Sequence, residues 1–192
     1  GVPFLSSSDM LLADLSSVKH LSKERSPATL LEKIKIQFGW TLISCSGTIG
    51  NTVYVRQDMA HLTGSQHIMR AAPKKETILP GYLYAFLSSK IGYSLLTQGT
   101  YGAVIQHIEP QHIENIPIPR LDPSQEEEIH QLIEQAAELR VEANRFKQIA
   151  QNSVEKLLNV RLDASQARNQ ITSIPVVALN DRLEANYHVS QK

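Results

Sequence analysis

The 192-residue chain is 42% hydrophobic and carries 19 Lys and Arg against 19 Asp and Glu, which gives it material for a real core and no net charge. That balance argues against a polycationic nucleic-acid coat, and no apolar run approaches the roughly 18 residues a membrane span needs. A lone cysteine, Cys45, leaves no partner for an intrachain disulfide or a cysteine-based zinc site, and it fits a reducing cytoplasm as the expected compartment.

The neutral total hides a division along the chain. Residues 1–121 hold 11 Lys and Arg against 8 Asp and Glu, with five of the seven histidines, whereas residues 122–158 hold 4 against 8 and residues 159–192 hold 4 against 3. A mildly basic body is joined to an acidic extension.

The body opens on VPFL, residues 2–5, which predicts a short strand running into a Ser-rich turn. Ser26-Pro27 then precedes a stretch of mixed periodicity at 29–37, and the runs at 39–44 and 51–55 are strand-like. Between those two runs lies SGTIG, residues 46–50, which predicts a hairpin or bulged connection turned by Gly47 and Gly50. A phosphate loop would lead into a helix and place Lys after the second glycine, where Asn51 stands. A serine elbow needs G-x-S-x-G, and Cys45-Ser46-Gly47 does not supply it.

Farther on, residues 82–89 predict a helix that starts just after Pro80, with Gly92 and Gly99 bracketing the next turn. Residues 98–102 predict a loop leading to a strand at 104–106, and Ile116-Pro117-Ile118-Pro119 is extended because each proline disfavours helix for the residue before it.

The acidic extension is a helix with a marked start: Asp122 or Ser124 can cap, Pro123 suits a first-turn position, and three glutamates sit at the positive end of the helix dipole. No Gly or Pro follows until Pro175. Apolar residues then recur at alternating steps of three and four through Ile129, Leu132, Ala136, Leu139, Ala143, Phe146, Ala150 and Leu157, with Ser153 the single break. This is a coiled-coil seam, and the small residues at 136, 143 and 150 permit close approach of a second helix. A helix over 125–158 would be about 50 Å long, more than one small domain requires.

Metal and catalytic arrangements are weak. His61 and His67 are six residues apart and His107 and His112 five apart, neither placing two ligands on one helical turn, and no carboxylate cluster lies near them. Ser46, His67 and Asp58 supply the residue types of a triad, but only geometry could assemble one. No catalytic residue and no metal site is expected.

In order and spacing, the elements resemble a target-recognition domain with its spacer helix from the DNA specificity subunit of type I restriction-modification systems. The resemblance is carried by Gly1-Val2-Pro3-Phe4-Leu5, by 43–55 with its SGTIG core, and by Pro80-Gly81-Tyr82-Leu83 with Leu87-Ser88-Ser89. It continues through Gly99, Ile105, His112-Ile113, IPIP at 116–119, Gln125 and the long helix. In the tail, 174–179 and 181–188 resemble the opening of such a domain. The expected organisation is therefore a recognition domain at 1–121 that lacks its first segment, a spacer helix at 122–158, and a linker with the start of a next recognition domain at 159–192. A half-length subunit that pairs with a copy of itself is the alternative.

The resemblance implies an α+β fold: a β-rich globular domain followed by a long helix in an antiparallel coiled-coil pair. It implies reading of one half of a split double-stranded DNA target, docking of a modification methyltransferase subunit, indirect association with a restriction subunit, and no catalysis in this chain. S-adenosylmethionine, ATP and Mg2+ belong to those partners. Candidate phosphate contacts are Arg56, Arg70, Lys74 and Lys75. Candidate base-reading loops offer Ser46 and Thr48, then Ser65, Gln66 and His67 with Arg70, then Gln98, Thr100 and Tyr101. From a different class comes the reading of a protein-interaction scaffold, with the heptad helix as its dimerisation element and a ligand-binding globular part; steep salt dependence of DNA binding separates the two.

Overall fold

In the computed structural model, residues 1–22, 24, 27–74, 76–98 and 107–158 are described. In chain order the elements are β1 (Val2–Leu5), β2 (Lys19–Leu21), α1 (Ala28–Ile34), β3 (Thr41–Ser44), β4 (Thr52–Tyr54), β5 (Thr63–Gly64), β6 (Ile68–Ala71), α2 (Pro80–Ser88), α3 (Lys90–Thr97), α4 (Pro110–Glu114) and α5 (Pro123–Leu158). The fold is α+β. The chain divides into two compact units, Gly1–Arg145 and Phe146–Lys192. Within the second, the described residues 146–158 are helical and expose Phe146, Ile149, Val154, Leu157 and Leu158.

Two three-stranded sheets carry the first unit. One runs β2-β1-β5, with β1 antiparallel to β2 and parallel to β5; the other runs β4-β3-β6 with both pairings antiparallel. The central strand explains the layering. Successive side chains of a strand point to opposite faces, and all four residues of β3 are buried. Leu42 lies in a core with Leu5, Met10, Ile36, Met59 and Ile68 between the sheets, while Ile43 lies in a second core with Leu83, Leu87 and Leu96 beneath α2 and α3.

The strand-turn-strand expected around SGTIG is the β3–β4 hairpin, with Thr41 opposite Tyr54 and Ile43 opposite Thr52. Two readings differ. Gly92, expected to bracket a turn, sits inside α3: the Ser89 side chain caps that helix by accepting from Gly92 N at 3.1 Å, and a Cβ at 92 would lie 2.1 Å from the Phe86 carbonyl oxygen. Here glycine permits close packing of successive helices. The short strands β2, β5 and β6 lack a clear alternation in sequence and form through long-range pairing. The strand expected at 104–106 lies outside the described residues.

Helix α5 starts as its sequence predicts, and the choice of cap is resolved: Pro123 occupies the first position, and the Asp122 carboxylate accepts from Ser124 N at 3.0 Å and from its hydroxyl at 2.6 Å. Those bonds hold the Asp122 carboxyl below its usual range. The first unit grips one face of α5. Glu126, 3% exposed, accepts a two-pronged bond from Arg120 Nε and Nη2, both 2.8 Å, and another from Leu121 N at 2.9 Å. Farther along, Gly81 N donates to His130 Nδ1 at 3.1 Å, Ala137 is buried, and Asn144 Nδ2 donates to the Ala13 carbonyl and to Asp58 Oδ2. Gly81 has no room for a side chain, since a Cβ would lie 2.7 Å from His130 Nδ1.

Candidate nucleic-acid interface

Three segments far apart in sequence meet at one end of the β4-β3-β6 sheet. The first is the β3–β4 turn, where Ser44 Oγ donates to the Thr48 carbonyl at 2.6 Å and accepts from Asn51 N at 3.0 Å, while Gly50 N donates to the Ser44 carbonyl at 2.9 Å. Both glycines adopt positive φ, 75° at Gly47 and 80° at Gly50, a region that side chains disfavour. Around Gly47 the space is open; a Cβ on Gly50 would sit 2.7 Å from Thr97 and 3.1 Å from the Tyr93 ring. The two glycines thus shape the turn, and the second also admits the end of α3, which brings the exposed Gln98 to the same region.

The second segment is the turn at 65–67, which enters β6. Ser65 is buried and acts as a brace, its Oγ accepting from His67 N at 3.2 Å and its carbonyl from Ile68 N at 3.1 Å. Gln66 and His67 project outward and stay exposed. Cys45 N donates to the His67 carbonyl at 3.0 Å, locking this turn to the end of β3. Burial pushes the Cys45 thiol above its ordinary pKa, as suits a packing residue.

His107 contributes the third segment: it forms a bridge with Ser46, and Ile108 N donates to the Cys45 carbonyl at 3.0 Å. Sequence reasoning missed His107 as a neighbour of this site, because the bridge spans some sixty residues and leaves no local pattern. Gln66, Arg70, His107, Glu109 and Glu114 line one groove of about 480 Å3.

The candidate contacts therefore sort by place. Ser46, Thr48, Ser65, Gln66, His67 and Gln98 converge, with Ser46 half-buried and Ser65 spent on the turn. Arg70 lies within β6 opposite Leu42; its Nη1 is buried without a hydrogen-bond partner among the described residues and faces Gly64. Arg56 and Lys74 follow the opposite ends of β4 and β6. Arg56 is only 8% exposed, its guanidinium on the Asp58 carboxylate at 3.0 and 3.3 Å, so as it stands it braces the body. Lys74 is exposed. Lys75, Thr100 and Tyr101 lie outside the described residues. Asp58, held by Arg56 and Asn144, is at the other end of the sheet from Ser46 and His67, so those three build no triad. Among the described residues no group of three or more potential metal ligands converges, and no helix is long and apolar enough to cross a membrane.

A family model for the type I restriction modification DNA specificity domain matches residues 1–151. The chain belongs to that family. The match takes in the whole convergent sheet end and most of α5, so DNA recognition is the role against which this specificity domain's surfaces are to be understood. No curated protein matches the chain.

Proposed function

We propose that this specificity domain reads one half of a bipartite duplex target with the sheet end bearing Thr48, Gln66, His67 and Gln98, and uses α5 to pair with a second helix and dock a methyltransferase subunit. Catalysis belongs to the partners: methyl transfer from S-adenosylmethionine to a modification subunit, and ATP- and Mg2+-dependent cleavage to a restriction subunit. The chain's own task is to choose the site and hold the spacing. The expected setting is the cytoplasm.

One observation carries the reading: the helix docks within the first unit by a largely polar face and leaves its apolar seam off that face. Residues 126, 130, 137 and 144 dock on the body, while Leu132 and Leu139 are 57% and 65% exposed. At 3.6 residues per turn the two faces lie roughly 130° apart, so one helix can serve its own domain and a partner at once. Charge favours an antiparallel mate. Residues 123–138 hold five Glu and no Lys or Arg, whereas residues 139–158 hold four Lys and Arg and two Glu, so a mate with the same gradient aligns opposite signs only when reversed.

The reading end suits base recognition by its chemistry. An exposed amide, imidazole and hydroxyl supply the short donors and acceptors that meet base edges in the major groove. Selection from a randomised duplex pool, with the chain alone and with a methyltransferase subunit, at two salt concentrations, tests the function. Enrichment of a short motif that weakens as salt rises is expected. A folded chain that enriches nothing under either condition contradicts it.

A further inference from the structure

A second groove, of about 430 Å3, lies on the other side of the 65–67 turn, between the β2-β1-β5 sheet and α1. Its walls are apolar, built by Phe4, Leu21, Leu30 and Ile34, and its rim carries Ser7, Gln66 and His67. The end of β1 and the turn are tied together, Ser65 N donating to the Leu5 carbonyl at 2.9 Å, so the groove and the proposed reading loop share one edge. Leu30 is 47% exposed at this edge.

We infer that this groove is a second DNA-contact site, which takes the 5-methyl edge of a thymine beside the bases met by Gln66 and His67. The inference rests on the assignment of that turn to base contact. Thymine is the base whose major-groove edge joins an acceptor, O4, to a methyl group. A hydroxyl or imidazole donor on the rim meets the first, and the aliphatic wall meets the second. Lys19 supplies the phosphate contact for that flank: it lies directly opposite Phe4 across the β1–β2 pair, so their side chains share a face, and it is exposed with no ion pair among the described residues.

The test uses the half-site obtained by pool selection and needs no protein variant to begin. Each thymine is replaced in turn by deoxyuridine, which removes only the methyl, and binding by the full chain with its methyltransferase subunit is compared. One such position is expected to lose about fourfold in affinity, the worth of one buried carbon. Leu30→Ala should erase that difference and leave the rest of the motif intact, and Lys19→Ala should lower the slope of log affinity against log salt by about one. Equal binding by every deoxyuridine duplex, a half-site without thymine, or a methyl dependence that survives Leu30→Ala overturns the inference while leaving the half-site itself standing. Failure to enrich any half-site overturns this inference and the proposed function together.

Discussion

The sheet end proposed to read bases and the outer face of α5 are built by opposite means. Backbone hydrogen bonds bring three segments, 46–48, 65–67 and 107, to one place, and no two of them are neighbours in sequence. The helix face is one continuous stretch whose apolar residues need only the turn of the helix to align. A convergent polar surface can change its bases by swapping single side chains on a fixed frame. A periodic apolar seam tolerates variation in identity but not a charge.

The largest way to break the contrast is Leu139→Asp. Placing a carboxylate in the centre of a helix pair should reduce assembly by about a hundredfold or more, by the cost of burying an unpaired charge, while the fold of the first unit persists. Sedimentation of the variant with its partner checks this, and wild-type assembly would show that the exposed seam is not an interface.

Next is the join between the regions. Gly81→Ala forces a methyl to within 2.7 Å of His130 Nδ1 and of its carbonyl oxygen, so α5 must shift on the body. A stability loss of about 1–3 kcal/mol is expected in denaturant unfolding. Gln66→Ala should cost about 1–3 kcal/mol of discrimination at one base pair and nothing in assembly.

The smallest effect is a pH dependence. The Arg120 fork, aided by the Leu121 N–H, holds the Glu126 carboxyl below the ordinary glutamate range. A depressed carboxyl stabilises the fold above the ordinary range, and that contribution is lost as pH falls through its folded value. Acid unfolding of the wild type should therefore include a step that Glu126→Gln lacks. Identical acid limbs in the two proteins would deny Glu126 a role in docking the helix.

The same contrast sets what the sequence discloses. α5, its proline start and its seam are legible because a helix writes its partners at steps of three and four, and the β3–β4 hairpin is legible because two strand-like runs flank a glycine pair. The docked face of α5 is not, since Glu126, His130 and Asn144 are polar residues whose partners, Arg120, Gly81 and Asp58, no periodicity announces. Arg56 shows the reverse: its type suggests a phosphate contact, and only the fold reveals the Asp58 carboxylate beside it. Gly92 reads as punctuation until the packing of α3 on α2 gives it a different reason.

We assign base choice to the convergent sheet end and spacing to the helix. The most direct test of this assignment is pool selection with the wild type and Gln66→Ala side by side, each assembled with a methyltransferase subunit. One motif is expected for the wild type and the same motif relaxed at a single position for the variant, with equal assembly. An identical motif from both proteins would contradict it.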